Sequence, residues 1–316
     1  MNHAARVLKS LESKDFAAKS RLGASWRRSY EHHGIDPSNS VQKNRISQKE
    51  LTFRKQSLEQ LIFLAEPQLD ELFGLICNSG CSVVLTDHNG LILDQRSSTA
   101  DKDSFEEWGL CPGAIWSESE EGTNGIGTCL AEQRPVIIER DQHYLSKNIG
   151  MTCIGVPIHG ANAELVGVLD VSSARLDHAK TTSSLIAATV KNAARHIETQ
   201  NFRAHFATER VVLAGQNIAD PSALVAINSD DCIIGATRTA RKLFGWALDN
   251  NLQPIAATDI FNDNQCETGL RRGEKTAIVK AITRSNGNLS QAAVNLGIAR
   301  ATLYRRINRL GIQLPK

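Results

Sequence analysis

This chain of 316 residues has no apolar run approaching the length of a membrane span, which excludes a protein that crosses the bilayer as helices. Charged residues are scattered through its N-terminus, where a signal peptide would need an apolar stretch, so a cytoplasmic protein is expected. Its seven cysteines (77, 81, 111, 129, 153, 232 and 266) are odd in number and widely spaced, and no disulfide framework is expected. Cys77 and Cys81 stand close together, but no second Cys or His pair at zinc spacing completes a site. His32-His33 has no Cys or Asp cluster near it and reads as a surface pair. No metal or cofactor is expected. Phosphate cradles are missing too: Gly269…Gly273-Glu-Lys-Thr276 has the wrong glycine-to-lysine spacing and no apolar strand ahead of it.

Acid is the other shortage, and it is local. From Arg271 onward Glu274 is the one acid against ten Lys or Arg, a charge of +9, while the whole chain carries only +2. Residues 1–270 therefore carry −7, and a polyanion is the natural partner of the tail. The tail reads as three helices: one from Glu274, one from Asn288 to Leu296, and one ending at Leu310, with turns at Ser285-Asn286-Gly287 and Gly297. Asn288 followed by Gln291 has capping-box spacing. Leu303, Ile307 and Leu310 form one buried stripe, leaving Arg300, Thr302, Tyr304, Arg305, Arg306 and Arg309 on other faces. A recognition helix enters the major groove of double-stranded DNA by its N-terminal end. Arg300 then suits a bidentate guanine contact, and Thr302 a thymine methyl or a phosphate. Arg305 and Arg306 suit phosphates. Ser290 and Gln291 suit a phosphate at the free amides of their helix. The alternative is a solvated basic hairpin that packs on the rest of the chain.

The segment from Gly287 to Ile307, GNLSQAAVNLGIARATLYRRI, resembles the Fis-type helix-turn-helix that closes bacterial enhancer-binding activators. That family usually has a small polar residue where Ala299 stands here, and alanine cannot cap the recognition helix.

Upstream, the periodicity predicts helices around Arg6–Ser20 and Arg21–His33, ending before Gly34-Ile35-Asp36-Pro37. A long helix follows through Leu51, Leu58, Leu61, Ile62 and Leu64, interrupted near Pro67 and resuming to Cys77. Then the period changes. Ser82–Thr86 and Leu91–Gln95 flank Asp87-His88-Asn89-Gly90, a hairpin signal, and further strands are expected at Pro135–Glu139, Thr152–His159 and Leu165–Val171. Between them lie a helix at Trp108, a glycine-rich turn and a short helix containing Thr128–Ala131. An α+β layer with a mostly antiparallel sheet flanked by helices is expected. A helix from Ser183 to about Ala214 presents Leu185, Ile186, Val190, Ala194 and Ile197, either as a dimer seam or as a cover for the sheet.

Residues 116–172 carry Glu121-Gly-Thr-Asn-Gly-Ile-Gly-Thr-Cys-Leu-Ala-Glu-Gln-Arg-Pro-Val136, His143-Tyr-Leu, Asn148, Thr152-Cys153, Pro157-Ile-His159 and Gly167-Val-Leu-Asp-Val-Ser172. With Ser25-Trp26 and Gly34-Ile-Asp-Pro37, these resemble the GAF sensor of the acetoin catabolism regulator family. The resemblance implies a GAF-type antiparallel sheet and a small-molecule effector. Gly122–Gly127 is not the dinucleotide fingerprint. Its tight entry to a helix either brings Thr123, Asn124 and Gly125 to a ligand or needs glycine for backbone reasons alone. Trp116, His143, Asn148 and Cys153 are further candidates for the pocket wall. A weaker resemblance, Ala223 to Gly245, is to the opening hairpin and first helix of a PAS-type domain, read as a remnant or docking element because a full PAS sheet does not fit. Asn250–Arg272 reads as a linker.

The expected organisation is an N-terminal helical segment (1–50), the GAF-type sensor (51–182), a connecting helix (183–214), the partial PAS-like element with linker (219–262) and a small all-α helix-turn-helix domain (271–316). Enhancer-binding activators carry an ATPase between sensor and reader, and no such segment is present here. The resemblance therefore implies a homodimeric regulator that works with the housekeeping RNA polymerase, or occludes or modulates the sites of full-length relatives. Two other readings stay open. One is a GAF-fold thiol enzyme resembling free methionine sulfoxide reductases, using Cys77, Cys81, Cys111, Cys129 or Cys153. The other is a ligand-independent architectural DNA-binding protein.

Overall fold

The computed structural model describes residues 2–40, 45–173, 180–214, 220–248, 252–261, 269–285 and 287–312. They form two compact units, residues 1–257 and 258–316.

The first unit opens with helices α1 (His3–Glu12), α2 (Lys14–Lys19) and α3 (Arg21–Arg27), the last continuing as a π-helical turn to His32. Asn2 and Ser20 side chains accept amide hydrogen bonds from Ala5 and Gly23, which fixes where α1 and α3 start. Gly34, at φ +63°, turns the chain before Pro37. This segment packs against the rest of the first unit. Trp26 is buried with Val7, Ile35, Tyr144 and Leu145, and its Nε1 donates to the Gln142 carbonyl at 2.8 Å.

Helices α4 (Gln48–Ser57) and α5 (Glu59–Ile76) follow. The break expected at Pro67 lies instead at Leu58, and Pro67 sits inside α5. Proline deprives the Phe63 carbonyl of its helical donor, and both residues lie on the exposed side, where water replaces it.

Strands β1 (Cys81–Thr86) and β2 (Ile92–Arg96) make the expected hairpin, its turn held by Asp87 Oδ1 accepting from the amides of Asn89 and Leu91. After α6 (Lys102–Glu107), α7 (Glu118–Glu121) and α8 (Gly125–Glu132) come β3 (Val136–Glu139), β4 (Thr152–His159) and β5 (Leu165–Ser173). The sheet is antiparallel, in the order β2-β1-β5-β4-β3. Alternation sends Val83, Leu85, Ile154, Val156, Leu169 and Val171 to one face, against α5 and α9 (Lys180–His205). Val84, Cys153 and Val168 face the other way, against Phe105, Trp116 and Ile126. Burial on both faces is why these strands read as continuous apolar runs.

Helix α9 covers this sheet with Ile186, Val190, Ala193, Ala194 and Ile197. Leu185, expected on that face, is 67% exposed. The helix also ends at His205 and does not continue to Ala214, because Arg210–Leu213 is a strand, β6. With β7 (Leu224–Ile227), β8 (Cys232–Ala236) and β9 (Ile255–Ala256), β6 forms a second antiparallel sheet, in chain order, that carries α10 (Arg238–Phe244). The expected remnant is thus a folded four-stranded sheet. It borrows its outer strands from segments read as helix and linker. Phe202 of α9 and Phe206, just past its end, pack on Leu224 and Ala226, so α9 serves both sheets. A short helix, α11 (Ala257–Phe261), follows β9 within the span read as linker.

The second unit holds α12 (Gly269–Arg284), α13 (Leu289–Asn295) and α14 (Arg300–Arg309) around Ile278, Ala281, Ile282, Ala292, Ala293, Leu303, Ile307 and Leu310. The first of these begins earlier than the expected Glu274.

Candidate functional site

In the sensor, Gly122 has φ +62° and leads into α8 through Thr123 and Asn124, both fully buried. Asn124 caps the helix, its Oδ1 accepting from the amides of Ile126 and Gly127 at 2.9 and 2.8 Å while its Nδ2 donates to the Gly122 carbonyl. The amides that a ligand would need are therefore already satisfied from within. Gly125 answers a packing demand: a Cβ there would stand 2.5 Å from both Asp170 Oδ1 and Cys153 Cβ.

Around this helix start lies a buried polar cluster. His143 Nδ1 donates to the Arg140 carbonyl at 2.9 Å, and Nε2 stands 3.3 Å from Cys153 Sγ. Ser172 Oγ lies 2.6 Å from Asp170 Oδ2 and 3.1 Å from the same sulfur. Burial lowers His143 to about 4 and raises the Asp170 carboxyl to about 7. Asp170 Oδ1 has no hydrogen-bond partner among the described residues. The N-terminal segment locks onto the cluster's edge: Ser25 Oγ donates to Glu118 Oε1 at 2.5 Å and lies 2.6 Å from Thr123 Oγ1, and Arg28 holds Glu118 at 2.8 Å.

The structure thus brings together Thr123, Asn124, Gly125, His143 and Cys153. Trp116 lies in the apolar layer beneath, its Nε1 on the Gly109 carbonyl, and Asn148 donates to Glu121 with its own Oδ1 unpartnered among the described residues. Asp170, Ser172, Ser25 and Glu118 were not foreseen. The signal for the first two was an acid and a hydroxyl spaced two apart in the apolar run of β5, on the face of Val168.

In the basic unit, Asn288 Oδ1 accepts from the amides of Ser290 and Gln291, at 3.1 and 3.2 Å. Those amides are consequently not free for phosphate. The reciprocal half of a capping box is not formed, since the Gln291 side chain bonds Asn295. Ala299 starts α14 without a side-chain cap, as expected. Arg300 and Arg305 are exposed, Tyr304 is 39% exposed, and Thr302 is half-buried. The Arg300 guanidinium lies 5.7 Å from the Tyr304 ring centre. Arg306 pairs with Glu274 of α12 at 3.1 Å, and Arg309 also pairs with that carboxylate, so α12 and α14 are braced together. Arg305 makes no ion pair among the described residues.

A family model described as MimR, N-terminal domain, matches residues 7–199, from α1 through most of α9. The chain belongs to the MimR N-terminal-domain family. A second model, described as bacterial regulatory protein, Fis family, matches residues 269–310. The acetoin catabolism regulatory protein of Cupriavidus necator is 30% identical over 224 residues, covering 69% of this chain and 33% of that protein. The propane 2-monooxygenase operon transcriptional activator MimR of Mycolicibacterium smegmatis is 29% identical over 54% of this chain and 29% of its own length. The acetoin dehydrogenase operon transcriptional activator AcoR of Bacillus subtilis is 27% identical over 49% of this chain and 25% of its own length. This chain thus spans a third or less of the length of these relatives. Its fold also matches the E. coli DhaR(N)–DhaL complex structure at TM-score 0.53 and 12% identity, covering 81% of this chain and 86% of that one.

Between α9 and the Fis-type unit, the described residues of this MimR-family chain form the second sheet, α10 and α11, and the central ATPase region is absent. Burial raises the Cys111, Cys129 and Cys153 thiols, the reverse of what a thiolate nucleophile needs.

Proposed function

We propose that this protein is a DNA-binding transcription regulator that works as a cytoplasmic homodimer, without ATP-dependent remodelling of polymerase. The observation that carries the reading is α14: its Leu303–Ile307 stripe is buried while Arg300 and Arg305 stay exposed on a helix of a Fis-type unit. Arg300 and Thr302 read base edges, and Tyr304 steadies Arg300. Arg305 neutralises phosphate, with Ser290 and Gln291 contributing side chains and Asn288 shaping their helix. A paired half-site raises the affinity of a reader that alone contacts few base pairs. The regulator names of the relatives support this reading, as does the burial that raises the Cys111, Cys129 and Cys153 thiols.

The sensor responds to a small-molecule effector. Thr123, Asn124, Gly125, His143, Asn148, Cys153 and Trp116 form the interior against which an effector would act, and the cap that Asn124 makes on Ile126 and Gly127 implies rearrangement for direct contact there. Binding of the purified protein to fragmented genomic DNA, followed by sequencing of what is retained, tests the function. A few sites sharing an inverted repeat support a dimeric regulator. Broad, salt-sensitive retention supports an architectural protein, and no retention removes the DNA reading.

A further inference from the structure

We infer that the first unit holds a second ligand site: a cationic cleft between the two sheets that takes a small organic anion with carboxylate or phosphate groups. The cleft, of about 160 Å³, is walled by the end of β4, by one side of α9 and by α10. Its size suits a compact metabolite, being below the several hundred Å³ of a drug-sized pocket. Arg134, Lys191, Arg195, Arg238 and Lys242 line it, against a single carboxylate, Glu198.

Glu198 is already committed. Its Oε1 accepts from the His159 amide at 2.7 Å and from His159 Nδ1 at 2.8 Å. The imidazole is thereby oriented, with Nδ1 as the donor. Only 9% of that side chain is exposed, and its other ring nitrogen, Nε2, is buried in the wall with no hydrogen-bond partner among the described residues. Buried polar atoms in native proteins are nearly always satisfied, so an orphan at a cleft points to a missing partner. A ligand oxygen supplies one, as a hydroxyl donating to the neutral ring or as an anion accepting from the protonated ring.

Arg238, at the start of α10, is the second indication. Its guanidinium donates to two neutral acceptors, the Ala163 carbonyl at 3.4 Å and Gln133 Oε1 at 3.2 Å. Its Nε is buried without a partner, and no carboxylate lies within ion-pair distance of it among the described residues. A half-buried guanidinium without a counter-ion is an unstable arrangement unless an anion completes it. Lys191 and Lys242 likewise make no ion pair among the described residues, whereas Arg195 pairs with Asp220 and Arg134 with Glu132. Arg238, Lys191 and Lys242 thus share one cleft with an orphan imidazole nitrogen, and the one carboxylate that lines it, Glu198, is bonded to His159. None of the residues that line the cleft belongs to the Asn124–Cys153 cluster or to the basic unit, so the inference stands whether or not the chain reads DNA.

Calorimetric titration of the full chain with succinate and with inorganic phosphate, beside neutral 1,4-butanediol, tests this at physiological salt. Saturable binding of one site by at least one anion, and none by the diol, is expected. Arg238→Gln should weaken it by about tenfold or more, the loss of one charge-assisted hydrogen-bonding group. Lys242→Gln, at an exposed position that leaves the fold undisturbed, should weaken it in the same direction. Lys275→Gln on α12 should leave it unchanged. The assignment is overturned by absence of saturable binding of either anion, by equal binding of the diol, or by a loss with Lys275→Gln matching that with Lys242→Gln. The last result would place the anions on the basic tail.

Discussion

Replacing Asp170 with Asn tests the buried cluster of the sensor through the pH dependence of stability. The carboxyl is fully buried, held on one side by Ser172 and unpartnered on the other, and its pKa rises from 3.8 to about 7. The unfolded chain gives up this proton near 3.8. Between there and 7 the folded state binds more protons than the unfolded one, so stability falls as pH rises, by about 1.4 kcal/mol per unit. The contribution is fully present below 3.8 and lost once pH passes 7. His143 works in the opposite sense. Its pKa falls from 6.5 to about 4, so the unfolded chain binds the extra proton in that window and stability is lost as pH falls through it. In the wild type the two slopes offset each other from about 4 to 6.5. Asp170→Asn leaves the His143 slope alone: the variant should gain stability up to about pH 6.5 and then level off. Relative to wild type it should gain about 3 kcal/mol between about pH 5 and pH 8. Urea unfolding of both proteins across that range, followed by far-UV circular dichroism, gives the difference directly. A difference that is the same at both ends of the range would mean that Asp170 titrates as an ordinary surface carboxylate, and the buried cluster as described would be wrong.

Three further substitutions address packing and DNA reading. Gly125→Ala forces a methyl group to within 2.5 Å of Asp170 and Cys153, and should cost roughly 1–3 kcal/mol by overpacking in chemical denaturation; an unchanged midpoint would show that α8 can move off the sheet. Arg300→Ala should cost roughly 1–3 kcal/mol at a specific site and relax one base position in a site-selection experiment, and unaltered selection would remove Arg300 from the readout. Arg305→Ala should weaken all sequences alike and reduce the log–log salt slope by about one; altered preference at an unchanged slope would reverse the division of labour between these arginines.

The first sheet was legible because its signals are local. Asn89-Gly90 between two apolar runs specifies a hairpin, and the runs of β4 and β5 are long enough to announce themselves. The second sheet was not. Arg210–Leu213 has four residues and Ile255–Ala256 two, too short for a period, and what makes them strands is the partner supplied by β7 and β8. The apolar residues Val211, Val212 and Leu213 prolong the pattern of α9, so the sequence reads as one helix where the backbone turns after His205. The buried cluster was half legible. His143 and Cys153 stood out as residue types, while Asp170 lay inside an apolar strand, where only the two-residue alternation tells its face from that of Leu169 and Val171. In the reader the cap at Asn288 was legible from spacing, but the pairing of Arg306 with Glu274 was not, because it depends on how α12 lies across α14.

Helix α9 is the element that joins the two sheets of the first unit. It buries Ile186 to Ile197 on the first sheet and Phe202 on the second, where Phe206 joins it just past the helix end, so the two parts of the helix are fixed in different cores. Deforming such a helix breaks contacts at both ends, whereas shifting it as a rigid rod changes both interfaces together. Glu198, midway between the two cores, holds His159 of β4, and Arg195 holds Asp220 just before β7. A ligand oxygen on His159 Nε2 and Arg238 would connect β4 to α10 directly, in parallel with α9. Its effect on the second sheet is limited to the difference in its affinity for the two placements of these elements. A ligand that bound both placements equally would stabilise the protein and transmit nothing.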